Sequence, residues 1–461
     1  MDFITILFIG IGLAMDASAV SLAKGMGLDK DQVKKYAFIL ALAFGLFQAL
    51  MPAIGYFAGS HFAEYIQSID HWIAFILLSL IGINMICEGK EEKENMWLYN
   101  SVDSVVQKVI KKKKGSVEEK TLTLAALGDV YLTPNMLNGA KTSDGYDFST
   151  GTESVKEVLS KYDLVTASLS TPVAGKSLGY STVKEYNAPN EILTFLKDLN
   201  VSVLATATTN AMDKSITGIN NTIDNIKEVE LEQTGLGSAE RSKPVIVTKN
   251  DIKVGILSYA TSSSVKIAKG NESYLNLLDD DNIKEDMEYL KSNNVDFIVS
   301  YLNTPNTDPE IIVAEQKESV EKLIQAGVDV ILCTGVSGVQ EDYEEEITLE
   351  DGTKNHVYAI YGMGEFMGGN TTDASKASII ADIEFTKTIT KDKDGNVTKT
   401  QSDMKIKTPI ALWTSVDKNY SSNIYVMSDE IEKYNNSNSN LTAKEYSVMK
   451  EYYDSILKMF E

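Results

Sequence analysis

Asp16 stands inside an apolar run, "GLAMDASAVSLAKG" at residues 12–25. A carboxylate in the middle of a lipid-embedded helix costs about 2.5–3.5 kcal/mol on insertion scales, so such a residue is a candidate site for a cation or a proton. The plainer reading is an Asp kept neutral, or hydrogen-bonded to Ser18 or Ser21. Elsewhere the chemistry is sparse. The three histidines are His61, His71 and His356, and the two cysteines, Cys87 and Cys333, lie far apart. That spacing argues against a disulfide framework. There is no phosphate-binding P-loop, no G-x-S-x-G nucleophile elbow and no Cys–His pair. "GLGSAERSKP" contains G-x-G but precedes a strand pattern rather than opening a helix, which makes it a weak phosphate signal. "DKDGN" at 392–396 has the start of a calcium loop without the later ligands or closing Glu, so a hairpin turn is the better reading.

The elements that must position these residues fall into two classes. Apolar stretches at residues 3–23, 36–59 and 71–86 are each suited to span a bilayer core of about 30 Å. The second carries Gly55 and Gly59 in a G-x-x-x-G pattern that permits close helix approach. Lys24, Lys30, Lys34 and Lys35 follow the first stretch, no Lys or Arg follows the second, and the run Lys111–Lys114 follows the third. By the positive-inside rule the first loop and everything beyond residue 90 face the cytoplasm. Asp2 precedes the first apolar run and no basic segment does, which argues against a cleavable signal peptide. Residues 91–120 read as a charged linker helix, with apolar positions at Leu98, Val102, Val105, Val106 and Val109.

From residue 121 the texture changes. "TLTLAALGDVYLT", "YDLVTASLS", "VSVLATATT", "KPVIVTK", "IKVGILSYAT", "VDFIVSYLN" and "VDVILCTG" are short, nearly continuous apolar runs rich in β-formers. Helical stretches such as "APNEILTFLKDLN" and "EQKESVEKLIQAG" lie between them. Alternating buried strands and helices predict α/β layering. Two Asp-Gly pairs, in "LEDGTKNHVYAIYG" and "TKDKDGNVTKTQ", predict hairpins. "TAKEYSVMKEYYDSILKMF" predicts a final helix.

The motifs "GLAMDASAVSLAKG", "FGLFQALMPAIGYFAG" and "DHWIAFILLSLIGINMICEGK" resemble, in order, the first half of the MntP family of manganese efflux pumps. The resemblance covers residues 1–90. It implies that Asp16 binds the cation at mid-membrane, with Gln48 as second ligand and Mn²⁺ as the transported ion. Members of that family have a second three-helix half with its own Asp motif, and that half has no counterpart here. Half a site therefore implies a homo-oligomer, a separate second half, or a membrane anchor.

Residues 121–415 resemble the CapA/PgsA family, linked to poly-γ-glutamate capsule synthesis and similar in fold to calcineurin-like metallophosphoesterases. The matching stretches are "TLAALGDVYL", "YDLVTASLSTPV", "VSVLATATTNAMDKSITGINNTIDNIKE", "VDFIVSYLNTPN", "GVDVILCTGVSGVQ" and "YAIYGMGEF". The fold expected is thus a three-helix transmembrane segment (1–90), the linker (91–120) and an α/β domain (121–461) built as a layered α/β/β/α metallophosphoesterase-like sandwich. The resemblance also implies metal ligands at strand ends, and most are replaced. The opening Gly-Asp survives as Gly128-Asp129, whereas the Glu of the next motif is Ser170. The Asn-Asn-His triplet is Thr208, Thr209 and Asn210. The His of His-Trp-Gly falls on Leu302, those of His-Pro-His fall on Gly335 and Ser337, and the Asn of Gly-Asn-Phe is Glu365. Asp213, beyond the triplet, is retained. A hydrolytic two-metal centre needs several convergent ligands to hold ions about 4 Å apart. Asp129 is therefore a remnant of the family site or a structural residue capping amides at a strand-to-loop turn. Asn210, Asp213 and Glu365 remain as substrate-binding candidates, and the soluble domain is expected to carry no cofactor.

The formal net charge is −22, which argues against nucleic acid as a partner. Arg241 is the only arginine, read as a matter of genome composition. The functional expectation is a multi-pass membrane protein with a catalytically degenerate CapA-like domain, binding or scaffolding an envelope polymer or its synthesis machinery. The rivals are a half-length manganese exporter with the domain as passenger or regulator, and a chimera of two neighbouring genes. The lysine pattern puts the domain in the cytoplasm, while the family resemblance puts it outside.

Overall fold

A computed structural model of the protein describes residue 50 and residues 116–461, apart from 350–351, 369–371, 393 and 417–421. Asp16, Gln48, the apolar spans other than Leu50, and the linker up to residue 115 lie outside the described residues. The chain divides into two units, Met1–Lys111 and Lys112–Glu461. Among the described residues no helix is long and apolar enough to cross a membrane.

The second unit runs through β1 (Val117–Val130), α1 (Pro134–Gly139), α2 (Glu153–Leu159), β2 (Leu164–Leu169), α3 (Glu191–Asp198), β3 (Val203–Ala205), α4 (Ser215–Glu228), β4 (Glu232–Thr234), β5 (Val245–Lys249) and β6 (Ile252–Ala260). It continues through α5 (Asp280–Ser292), β7 (Phe297–Asn306), α6 (Ala314–Ala326), β8 (Val330–Val336), β9 (Val339–Thr348), β10 (Lys354–Met363), β11 (Ala377–Lys391), β12 (Val397–Val416), β13 (Ser422–Val426), α7 (Met427–Asn435) and α8 (Ala443–Met459). One sheet has the order β13-β12-β11-β1-β2-β3-β4 and the other β5-β6-β7-β8-β10-β9.

Burial explains the layering. Leu122, Leu124 and Ala126 of β1 meet Ile252, Val254, Val299 and Tyr301 of β6 and β7, so one core lies between the sheets. The alternate side chains of β1, Ala125 and Leu127, pack outward against Val155 and Leu159 of α2 and Ile192 and Leu196 of α3. On the far side Leu257, Leu302 and Ile331 pack against Leu290 of α5 and Leu323 of α6. Strands covered on both faces need apolar residues at nearly every position, which is why these runs carry no alternation. Each fully buried Val, Leu or Ile contributes roughly 1.5–3 kcal/mol relative to exposure. The domain is an α/β sandwich with helices on both outer faces. The Asp-Gly hairpins join β9 to β10 and β11 to β12 in antiparallel pairs.

One boundary differs from the sequence reading. Residues 117–120, assigned to the linker, form the start of β1. They pair in register with β11, Val117 opposite Thr390 and Lys120 opposite Lys387, and Glu118 bridges Lys120 and Lys391. The partner strand lies some 270 residues on (|i−j| = 273 for Lys391 and Glu118), so local periodicity carries no trace of it.

Strands β1 to β4 run parallel to one another, as do β6, β7, β8 and β10. In open α/β sheets the crevice outside the carboxyl ends of parallel strands is where ligands bind. The ladders are irregular at those ends. The β1–β2 register shifts between Leu127 and Asp129, and the β7–β8 register shifts between Asn303 and Asn306. Such bulges re-aim the side chains beside them.

Candidate functional site

The bulge at Gly128 fixes where Asp129 points. A β-carbon on Gly128 would lie 2.2 Å from the Gly364 carbonyl oxygen, so only glycine lets β1 pass that close to the segment after β10. The two strands are tied there by Asp129 N–H to Gly364 O at 3.2 Å and Met367 N–H to Asp129 O at 3.0 Å. The Asp129 side chain then turns inward, 5% exposed. Its Oδ1 accepts from the Ser168 hydroxyl at 2.8 Å and from the Ser170 hydroxyl. Its Oδ2 accepts from the Gly335 N–H at 2.6 Å. Gly335 has φ +85°, a left-handed conformation that glycine adopts at no steric cost and that aims its amide at the carboxylate. Burial pushes the Asp129 carboxyl above its ordinary value, while Ser170, Gly335 and Ser168 pull the other way.

Asp129 is therefore a joint between sheets. The backbone amide it caps lies 206 residues away on β8 rather than in its own strand-to-loop turn. Other direct bonds join the sheets nearby. The Tyr301 hydroxyl of β7 donates to Leu127 O of β1 at 3.2 Å. The N–H of Ala207, just past β3, donates to Ser258 Oγ of β6 at 3.0 Å, and Thr209 N–H donates to Asn303 Oδ1 at 3.0 Å.

Above this joint opens a cleft of about 230 Å³ lined by Asp129, Tyr131, Ser170, Tyr186, Thr208, Thr209, Asn210, Asn303, Pro305, Gly335, Val336, Ser337 and Glu365. Thus the residues at the replaced motif positions do converge, with one exception. Leu302 is fully buried among Leu290, Leu323 and Ile331 on the helix side of its sheet, and Asn303 faces the cleft instead. Side chains alternate along a strand. Val299 and Tyr301 point between the sheets, so the same face at the strand end belongs to residue 303. That alternation was the available signal for Asn303, and alignment to the family motif obscured it.

Of the substrate-binding candidates, Asn210 and Glu365 line the cleft. Glu365 is 4% exposed and accepts from Ser337 Oγ at 2.7 Å. Asp213 does not line it. Its carboxylate accepts from the Tyr186 N–H at 2.9 Å and the Ser264 hydroxyl at 2.6 Å, pinning two loops at the rim. Tyr131 and Tyr186, which sequence reasoning missed, stand edge to face at 5.5 Å and 61°. Burial, then Tyr131 and the carboxylates of Asp213 and Glu365, push the Tyr186 phenol up to about 12. No sequence pattern marks either tyrosine, since each sits in an irregular loop.

The donor set does not fit a two-metal centre. Both oxygens of Asp129 already accept hydrogen bonds, and hydroxyls at 170, 208, 209 and 337 are poor substitutes for carboxylate and imidazole ligands. Glu365 is the one other carboxylate among the described lining residues. Among the described residues no group of three or more His, Cys, Asp or Glu converges to hold a metal. His356 lies toward the other end of β10 and pairs with Glu344 at 2.8 Å. What the arrangement offers is dense, neutral hydrogen bonding beside two carboxylates.

Residues 123–370 match the family model described as "Bacterial capsule synthesis protein PGA_cap", and residues 31–110 match "Putative manganese efflux pump". Over 93 residues the chain is 57% identical to the "Putative manganese efflux pump MntP" of Campylobacter jejuni subsp. jejuni strain 81-176, covering 20% of this chain and 49% of that protein. Over 133 residues it is 46% identical to the same-named protein of Clostridium perfringens strain 13, covering 28% and 62%. The chain thus spans about half the length of the first of these curated relatives. Among solved structures, the calcineurin-like phosphoesterase YfkN of Bacillus subtilis matches at 12% identity and TM-score 0.37, over 74% of this chain and 99% of that one. A 5'-nucleotidase precursor of Thermus thermophilus matches at 12% identity and TM-score 0.35, over 73% and 58%.

Proposed function

The chain belongs to the bacterial capsule synthesis protein family PGA_cap, and from that premise we propose that it is a membrane-anchored binding or scaffold component of capsule or cell-envelope polymer synthesis, working without two-metal hydrolysis. The observation that carries this reading is the state of Asp129. The one family carboxylate that survives at the opening motif is saturated by two hydroxyls and an amide, and it serves to hold the two sheets together. Elemental analysis of the purified full chain tests this. Wild type and the Asp129→Asn, Glu365→Gln double variant should carry the same manganese, iron and zinc content. Loss of one or two equivalents in the variant would restore a metal centre to the cleft.

A second reading rests on the 57% identity over 93 residues to a protein named as a putative manganese efflux pump. In it the N-terminal segment moves Mn²⁺ as a homo-oligomer or with a separate second half, Asp16 and Gln48 supplying oxygen ligands, which suit a hard cation. Expression in a manganese-sensitive host should then lower cellular manganese, and Asp16→Asn should abolish the effect by removing the charge. Equal manganese with wild type, variant and empty vector would leave these helices as an anchor. A fusion of two neighbouring genes would make the two readings independent of each other.

In this proposal the domain is cytoplasmic, a reading supported by the four lysines of the first loop opposite a loop with none. Protease added to intact protoplasts should then spare it. Digestion before lysis would put the domain outside.

A further inference from the structure

We propose that the cleft above Asp129 binds an uncharged, hydroxyl-rich ligand the size of one sugar ring; this rests on the reading that the domain binds rather than hydrolyses. The cleft has a volume of about 230 Å³. That suits a single ring and not several residues of a polymer.

An unmet hydrogen bond points to the ligand. Thr208 lines the cleft, is 2% exposed, and its Oγ1 has no partner among the described residues. A buried hydroxyl left unpaired carries a desolvation cost that a ligand hydroxyl removes. Around it the polar groups are of mixed character. Asn210 supplies donors and an acceptor, Ser337 supplies an acceptor because its proton goes to Glu365, Glu365 supplies acceptor oxygens, and Tyr131 and Tyr186 supply apolar ring faces with polar tips. Tyr186 is pushed up to about 12, so its phenol keeps its proton throughout the neutral range.

Charge decides against the obvious alternatives. Among the described residues the cleft lining contains no Lys, Arg or His, and it includes the carboxyl groups of Asp129 and Glu365. A phosphate or a polyglutamate segment would bring negative charge beside Glu365 with no cation in the described lining to compensate it. An ammonium ligand would satisfy Glu365, but an ammonium only donates. It leaves the Thr208 hydroxyl proton without an acceptor. A sugar hydroxyl both donates and accepts, which matches the lining.

The test uses the full chain in lipid nanodiscs, titrated by saturation-transfer NMR. The probes are glucose, galactose, mannose, N-acetylglucosamine, N-acetylgalactosamine, L-glutamate, methylamine and inorganic phosphate. At least one neutral sugar should bind, and glutamate and phosphate should not. Thr208→Val should weaken binding about fivefold without lowering the melting temperature, because it removes an unpaired buried hydroxyl at constant shape. Glu365→Gln should weaken binding about tenfold or more through loss of a charge-assisted bond. Absence of binding by every sugar, or sugar binding indifferent to both substitutions, overturns the proposal. Methylamine binding without sugar binding overturns it too, and leaves the binding reading intact. Metal-dependent hydrolysis of bis-p-nitrophenyl phosphate, lost in Asp129→Asn, would instead overturn that underlying reading.

Discussion

Two aspartates are buried to nearly the same degree, Asp129 at 5% exposure and Asp286 at 1%, and the fold treats them differently. Asp286, on α5, accepts from both terminal nitrogens of Arg241 at 2.9 and 2.6 Å and from the Tyr259 hydroxyl at 2.6 Å. Burial alone would lower the Arg241 guanidinium pKa, but the bonds and charges of Asp286 and Glu285 outweigh it and hold it above its ordinary value. Asp129 receives only neutral donors, and its carboxyl is pushed toward the protonated form. Where this domain keeps a permanent buried ion, it provides a counter-ion. In the cleft it provides hydroxyls and an amide, the surroundings of a structural joint.

The contrast breaks or holds on two substitutions. Asp286→Ala leaves the Arg241 guanidinium buried without its main partner, and removing one member of a buried pair costs about 3–5 kcal/mol. Denaturant unfolding should show a loss of that size. The double variant Arg241→Met, Asp286→Leu should recover part of it, because no uncompensated charge remains while the buried Tyr259 hydroxyl still lacks its acceptor. A loss below about 1 kcal/mol for the single change would mean that the pair behaves like a surface ion pair. Asp129→Asn should cost less, about 1 kcal/mol, the net worth of a typical hydrogen bond. It gives up one acceptor to the Ser168, Ser170 and Gly335 donors but also removes a charge that burial disfavours. If Asp129→Asn proved as damaging as Asp286→Ala, an unseen positive partner would have to be placed in the cleft.

The legible and illegible parts of this molecule divide along sequence distance. "VDFIVSYLN" and "VDVILCTG" announced buried parallel strands because covering both faces leaves no room for polar alternation. The Asp-Gly turns announced the hairpins β9–β10 and β11–β12. The motif positions located the cleft, since Ser170, Thr208, Asn210, Gly335, Ser337 and Glu365 all line it. Three features were not legible. The first four residues of β1 are strand only because β11 pairs with them. The partners of Asp129 lie 39, 41 and 206 residues away, and no local pattern encodes such contacts. Arg241 read as compositional accident, yet it anchors α5 through a pair 45 residues apart. Asn303, by contrast, is legible one position beyond the motif residue Leu302, because strand parity outranks motif alignment in deciding which side chain reaches a cleft.

A third carboxylate sharpens the comparison through the pH dependence of stability. Asp329, just before β8, accepts the Ile298 N–H at 2.7 Å and has no lysine or arginine bonded to it among the described residues. Burial pushes its carboxyl up to about 7, with the Ile298 amide pulling the other way. In the unfolded chain its value is the ordinary 3.8. Below about pH 4 both states hold the proton, and the stability associated with the raised value is fully present. Between about 4 and 7 the unfolded chain releases the proton while the folded domain retains it, so this contribution is lost as pH rises and levels off above 7. Asp329→Asn keeps the shape and an acceptor for Ile298 but cannot titrate. Relative to wild type, its melting temperature should therefore be lower or equal at pH 4.5 and should gain ground steadily to pH 7.5. A wild-type-to-variant difference that stays constant from pH 4.5 to 7.5 would mean that Asp329 titrates at an ordinary value in the folded protein.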